Sequence, residues 1–244
     1  MNVIIFGASG MVGQGVLREC LLDERVGRVL VIGRTATGVQ HPKVQELVQA
    51  DPADLSAVAA ELAEYDACFF CLGVSAVGLA EDAYRAITYD LTLAVARPLA
   101  EANPELVFCY VSGAGTDSSE QGRVMWARVK GRTENDLLKL PFRAYMFRPG
   151  FIQPLHGAVS KTRSYRIGYT VLGPVLPLLR RLAPNHVTST EQLARAMLAV
   201  AATSPATSPD TGPATDAATG PADAAATPHV LDPAAINRLA VQPA

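Results

Sequence analysis

Short apolar runs alternate along this chain with longer stretches whose apolar positions recur every three or four residues. Residues 3–6 (VIIF), 28–32 (RVLVI), 67–72 (ACFFCL), 106–111 (LVFCYV) and 144–147 (AYMF) have the length and residue types of strands buried on both faces. Residues 43–48 alternate enough for a short third strand, and 229–231 predict another. Between them, Val12, Val16 and Cys20 mark a helix after the first run. Ile87, Leu91, Val95 and Leu99 mark one over 81–103, with a kink or break expected at Pro98. Further helices are predicted over 123–140, over 188–201 with Thr190 as N-cap, and over 234–240 behind Asp232-Pro233. Asp51-Pro52 predicts one more helix start. Strand and helix in regular alternation specify an α/β fold with one doubly wound parallel sheet.

Two stretches break the pattern. Beyond Gly150 the periodicity weakens, and 151–190 is expected to form a small substrate-side cover. Within it YTVLGPVLPLL is interrupted by Pro174 and Pro177, so a continuous spanning helix is excluded; a lid, an oligomer contact or a membrane-touching segment all stay open. Residues 203–228 contain Thr, Ala, Pro, Gly, Ser and Asp without an aromatic, Val, Ile or Leu, the composition of a disordered insertion. The expected domain is therefore 1–202 plus 229–244.

The first strand runs into glycines at 7, 10 and 13, spaced GxxGxxG, and then into a helix. Gly7 permits a tight turn, Gly10 lets a pyrophosphate approach the backbone, and Gly13 lets the helix pack on the strand. The helix start offers unpaired N–H groups and a partial positive charge. A dinucleotide is the expected ligand. Arg34 ends the second strand, where an acidic residue would favour NAD and an arginine suits a 2′-phosphate, so NADP(H) is preferred over NAD. The fourth and sixth strands deliver Leu72-Gly73 and Arg148-Pro149-Gly150 to the same sheet edge. The expected cofactor-binding set is Gly7, Ser9, Gly10, Met11, Val12, Gly13, Arg34, Leu72, Gly73, Lys130, Arg148, Pro149 and Gly150.

A formal charge of −2 gives no general attraction to nucleic acid. No signal peptide or membrane span is readable, and a cytosolic protein is expected. Cys20, Cys68, Cys71 and Cys109 fall in a helix or apolar strands and read as core thiols, the CxxC at 68–71 included. From 137 to 190 there is no Asp or Glu but eight Lys or Arg, which suggests an anionic partner or a basic solvated face. No metal-ligand cluster can be argued from spacing.

VSGAGTDSS, WARVKGRTE and FRPG together resemble the short-chain dehydrogenase/reductase superfamily, in its atypical, epimerase-like branch, and are most similar to the Tat-interacting-protein-like oxidoreductases. The resemblance covers residues 1 to about 201 and the final strand and helix. It implies a Rossmann fold, in which a serine after strand five holds the reacting carbonyl and a tyrosine four residues before a lysine protonates it. Ser112 matches the serine and Lys130 the lysine, and these are the catalytic candidates. The tyrosine position is Trp126, whose indole cannot serve as general acid, and the helper Asn of the superfamily falls on Thr88. Tyr165, Tyr169 and His156 lie in the cover as alternative acids.

Two readings follow. One is an NADP(H)-dependent oxidoreductase or epimerase-like enzyme on a small carbonyl or anionic substrate. The other is a non-catalytic dinucleotide sensor that regulates a protein partner, favoured by Trp126. A peripheral membrane protein held by the apolar and basic stretch at 165–181 is a third. Oligomeric state does not follow from the sequence, and a homodimer remains open.

Overall fold

The computed structural model describes residues 1–158, 186–203 and 229–241. Seven parallel strands form one sheet: β1 (Asn2–Phe6), β2 (Arg28–Gly33), β3 (Val44–Val48), β4 (Ala67–Phe70), β5 (Val107–Val111), β6 (Arg143–Phe147) and, at the far edge, a two-residue strand at Val230–Leu231. Their spatial order is third, second, first, fourth, fifth, sixth and last, so the winding reverses between β1 and β4. β7 (Phe151–Gln153) and β8 (Val187–Ser189) pair apart as a small parallel ladder, which makes Val230–Leu231 β9.

Alternation along the central strands sorts their side chains into two cores. Val3, Ile5, Val29, Val31 and Phe69 point to the face covered by α1 (Met11–Leu22), α5 (Thr190–Ala202) and α6 (Pro233–Leu239). Ile4, Phe6, Leu30, Phe70 and Phe108 point to the face covered by a 3₁₀ helix (Ser56–Glu64), α3 (Leu91–Ala102) and α4 (Met125–Leu137). A sheet buried on both sides needs apolar side chains at every position, which is why its strands read as continuous apolar runs.

Four local expectations are corrected. The helix expected at Asp51-Pro52 begins at Ser56 and is 3₁₀; Asp51 caps only a turn, accepting the Ala53 N–H at 2.9 Å. The irregularity expected at Pro98 lies upstream, where α2 (Glu81–Arg85) passes into a π-helical turn, Ala86–Asp90, before α3 begins. Pro98 sits inside α3, and Ala94, whose carbonyl it leaves free, is exposed to water. The N-cap of α5 is Ser189, not Thr190: Ser189 Oγ accepts from the Gln192 N–H, and the Gln192 side chain accepts from the Ser189 N–H, both at 3.0 Å. Ser189→Ala removes half of this capping box and is expected to cost about 1 kcal/mol in denaturant unfolding. His229 precedes β9 rather than opening it, and stacks on Tyr145.

All four cysteines are free, and burial pushes the thiols of Cys20, Cys68 and Cys109 well up and that of Cys71 up to about 12. They are core thiols, as the strand composition implies. YTVLGPVLPLL, Tyr165, Tyr169, most of the basic stretch and nearly all of the 203–228 insertion lie outside the described residues.

Candidate active site

The sheet's winding reverses between β1 and β4, and the crevice there is where an open α/β sheet accommodates ligands. Gly7 follows β1 at φ +80°, and a Cβ on it would lie 2.8 Å from the Cys71 carbonyl carbon. Only glycine satisfies both constraints. At Gly13 a Cβ would lie 2.1 Å from the Gly7 oxygen, so α1 starts pressed against the strand it follows. Gly10 differs from both. It is the N-cap of α1, donates its N–H to the Gly7 carbonyl at 2.9 Å, and a Cβ there would meet only that oxygen, at 3.3 Å. No side chain caps the helix start, so its first-turn N–H groups have no side-chain acceptor there. Such a cradle fits a dinucleotide pyrophosphate, because it combines donors, dipole and close backbone approach.

Ser9, Met11 and Val12 belong to this turn, and Leu72 and Gly73 face it from the end of β4, where a Cβ on Gly73 would meet nothing within 4 Å. Arg34 lies on the adjacent loop after β2, exposed and without an ion-pair partner among the described residues. Thr37 and His41, farther along that loop, line a cavity of about 690 Å³ with Ala8, Ser9, Gln14 and Arg18, and Arg34 is not in its lining. A larger cavity, about 950 Å³, lies between α1, α5 and the last helix and contains none of the expected cofactor residues.

The catalytic candidates sit farther along the same edge. Lys130 Nζ donates to the Ser112 carbonyl at 2.6 Å and to the Val111 carbonyl at 3.4 Å, and lies 5.9 Å from the Tyr110 ring centre. Burial lowers its pKa to about 8, partly opposed by the Glu134 carboxylate. The Ser112 hydroxyl points inward: it donates to Glu134 Oε1 at 2.5 Å and lies 3.1 Å from the Phe147 carbonyl. Trp126 stands one turn before Lys130, its ring 3.6 Å from where a Gly115 Cβ would be. Thr88, on the π turn, is buried with no hydrogen-bond partner on its hydroxyl among the described residues. His156, at φ +54°, pairs with Glu191 on α5 at 2.7 Å.

Arg148, Pro149 and Gly150 are held by the fold rather than by the glycine turn. The Arg148 guanidinium grips the Glu134 carboxylate through Nε, at 3.0 and 3.1 Å, and through Nη2, and also donates to Ser118 Oγ. The Pro149 carbonyl accepts from Ala114 at 2.8 Å, and a Cβ on Gly150 would lie 2.5 Å from the His186 oxygen. Glu134, 1% exposed, is the residue that sequence reasoning missed. Its signal was present: it follows Lys130 by four positions, so the two share one helical face inside an otherwise buried register.

A model of the NAD dependent epimerase/dehydratase family matches residues 3–124, half of the chain. The chain belongs to this family. Protein HTATIP2 of Rattus norvegicus is 30% identical to it over 203 residues that span 76% of this chain and 81% of the rat protein. Together they make the chain an atypical short-chain dehydrogenase/reductase. Protein fmp52, mitochondrial, of Emericella nidulans is 28% identical over 159 residues, 62% of this chain and 66% of its own length. That name, shared by further fungal relatives, overturns the expected cytosolic location. Among solved structures, the Bordetella bronchiseptica enzyme WbmF in complex with NAD+ superposes with a TM-score of 0.60 at 18% identity, over 82% of this chain and 69% of that one. A short-chain dehydrogenase/reductase family oxidoreductase from Burkholderia thailandensis gives 0.57 at 18%, over 82% and 85%. The family's Rossmann fold is thereby shared, and no helix among the described residues is long and apolar enough to cross a membrane.

Proposed function

We propose that the chain is an NADP(H)-binding oxidoreductase or epimerase-like enzyme acting on a small carbonyl compound. The observation that carries this reading is the glycine cradle at the β1–β4 reversal, with the uncapped start of α1 behind it. Gly7, Ser9, Gly10, Met11, Val12 and Gly13 would hold the pyrophosphate, Leu72 and Gly73 would flank it, and Arg34 would meet a 2′-phosphate. When bound, a nicotinamide supplies or accepts hydride. In this unit, 1–202 with 229–244, the segment 151–190 would cover the substrate. A mitochondrial location, as in the names of the fungal relatives, accompanies this reading.

With indole at position 126, the proton for a carbonyl oxygen comes from Lys130. Two backbone carbonyls fix its ammonium, and the remaining N–H is left for a ligand. The ammonium is present below about pH 8 and lost above it. Turnover in the reductive direction is therefore expected to fall as pH rises through 8, and Lys130→Arg, whose guanidinium keeps its proton, is expected to abolish turnover at every pH. The stability sign is opposite. Because the folded value lies below the ordinary 10.5, the unfolded chain binds more protons between the two, and this group's contribution to stability rises with pH across that window.

NADP(H) preference is tested by fluorescence titration with NADPH and NADH on the wild type and on Arg34→Ala. A selective loss of NADPH affinity in the variant supports the reading; unchanged selectivity removes Arg34 from it. The sensor reading is favoured by one geometric fact, the commitment of the Ser112 hydroxyl to Glu134. It expects cofactor binding without turnover on any carbonyl.

A further inference from the structure

We propose that the substrate is an apolar carbonyl compound whose body rests on an apolar mouth formed by Val74, Val77, Leu79, Val124, Met125 and Trp126. This deepens the oxidoreductase reading and rests on it for the reaction, though not for the binding surface. The loop leaving β4 and the start of α4 meet at the same sheet edge as Lys130. Ala76 and Leu79 from the loop, with Met125 and Trp126 from the helix, pack on one buried cluster of Tyr84, Tyr89, Leu93 and Val129. Above that floor Val77 is 87% exposed, Val124 51% and Val74 40%. The Trp126 ring also edges the turn after β5, at Gly115, which joins the mouth to the strand that carries Ser112. Apolar side chains are thus exposed on the loop after β4 and at the start of α4, the helix that carries Lys130.

The cations nearby are already occupied. Arg128 donates to Glu81 at 2.7 Å and to the Gly122 carbonyl at 2.8 Å, tying α4 to α2. Arg85 pairs with Asp90 at 3.3 Å, Arg132 lies over the Tyr89 ring at 4.9 Å, Arg148 is spent on Glu134, and Lys130 gives two of its three N–H groups to carbonyls and keeps the third for the substrate oxygen. Arg123, exposed beside Val124, is the rim cation without a partner among the described residues. An acidic substrate would therefore find apolar walls and one peripheral charge, whereas an aliphatic or aromatic body would cover surface that water now wets. Each methylene covered should tighten binding about fourfold.

Trp126 is the chain's single tryptophan, so its emission reports on this mouth alone. The test titrates straight-chain primary alcohols, 1-butanol to 1-octanol, into the full chain loaded with NADP+, and follows Trp126 fluorescence. The expected result is a midpoint that falls about fourfold per methylene. Val77→Asp and Val124→Asp should each weaken octanol at least tenfold with NADPH affinity unchanged, while Arg123→Gln leaves the series as it is. A response without chain-length dependence, or a stronger response to short 2-oxo acids that Arg123→Gln abolishes, overturns the proposal. So does an alcohol-insensitive protein that sediments as a dimer and becomes a monomer in Val77→Asp, which would make the face a self-association surface. If neither dinucleotide binds but the alcohol series persists in the free protein, the mouth stands and the oxidoreductase reading falls.

Discussion

Arg148→Met is expected to lower stability by about 3–5 kcal/mol, a large fraction of the roughly 5–15 kcal/mol typical of a folded domain. The Glu134 carboxylate is 1% exposed, and Arg148, itself 20% exposed, is the cation that neutralises it. Removing the guanidinium leaves Glu134 with the Ser112 hydroxyl and the more distant Lys130 field, in a site that water does not reach. The effect is an unpaired buried charge rather than lost attraction, so the order of removal matters. The double variant Arg148→Met with Glu134→Leu should recover most of the loss. Urea unfolding of the single and double variants checks this. Equal destabilisation by both would mean that the pair matters for shape rather than charge.

Gly10→Val is expected to lose on the order of a hundredfold in NADPH affinity while the fold survives. Gly10 has φ −86° and ψ 165°, which valine adopts readily, and a Cβ would need only a few tenths of an ångström from the Gly7 oxygen. The side chain would project where the pyrophosphate must approach. Gly13→Val offers the contrast, since its Cβ would lie 2.1 Å from the same oxygen and the turn itself must break. Thermal unfolding with and without NADPH separates the two. The wild type should gain about 2.7 kcal/mol at a hundred times its Kd. Gly10→Val should show the unliganded wild-type midpoint and a gain of only about 0.4 kcal/mol at the same concentration, and Gly13→Val a lowered midpoint throughout.

The fold was legible where one pattern decides it. Strands 3–6, 28–32 and 67–72 are apolar at every position but Arg28 because both sheet faces are covered, and runs of that length between turn residues suit strands. The glycine turn was legible because Gly10 and Gly13 meet the Gly7 oxygen within a local stretch of chain. What escaped depended on residues far apart in sequence. Ser112 finds Glu134 on α4 and the Phe147 carbonyl on β6, and Arg148 finds Glu134 and Ser118, none of which spacing along the chain reveals. The π turn at Ala86–Asp90 was hidden for a different reason: one extra residue in a helix changes which carbonyl each N–H meets without changing apolar periodicity enough to see. Pro98 misled because proline is costly in a helix only where its neighbours need the missing bond, and Ala94 faces water.

Isothermal titration of the full chain with NADPH, and separately with NADH, tests most directly whether the glycine turn is a dinucleotide site. One NADPH per chain, bound more tightly than NADH, is the expected result. A folded chain that takes up neither dinucleotide at millimolar concentration would contradict it, and would leave the turn as a packing device between β1, β4 and α1.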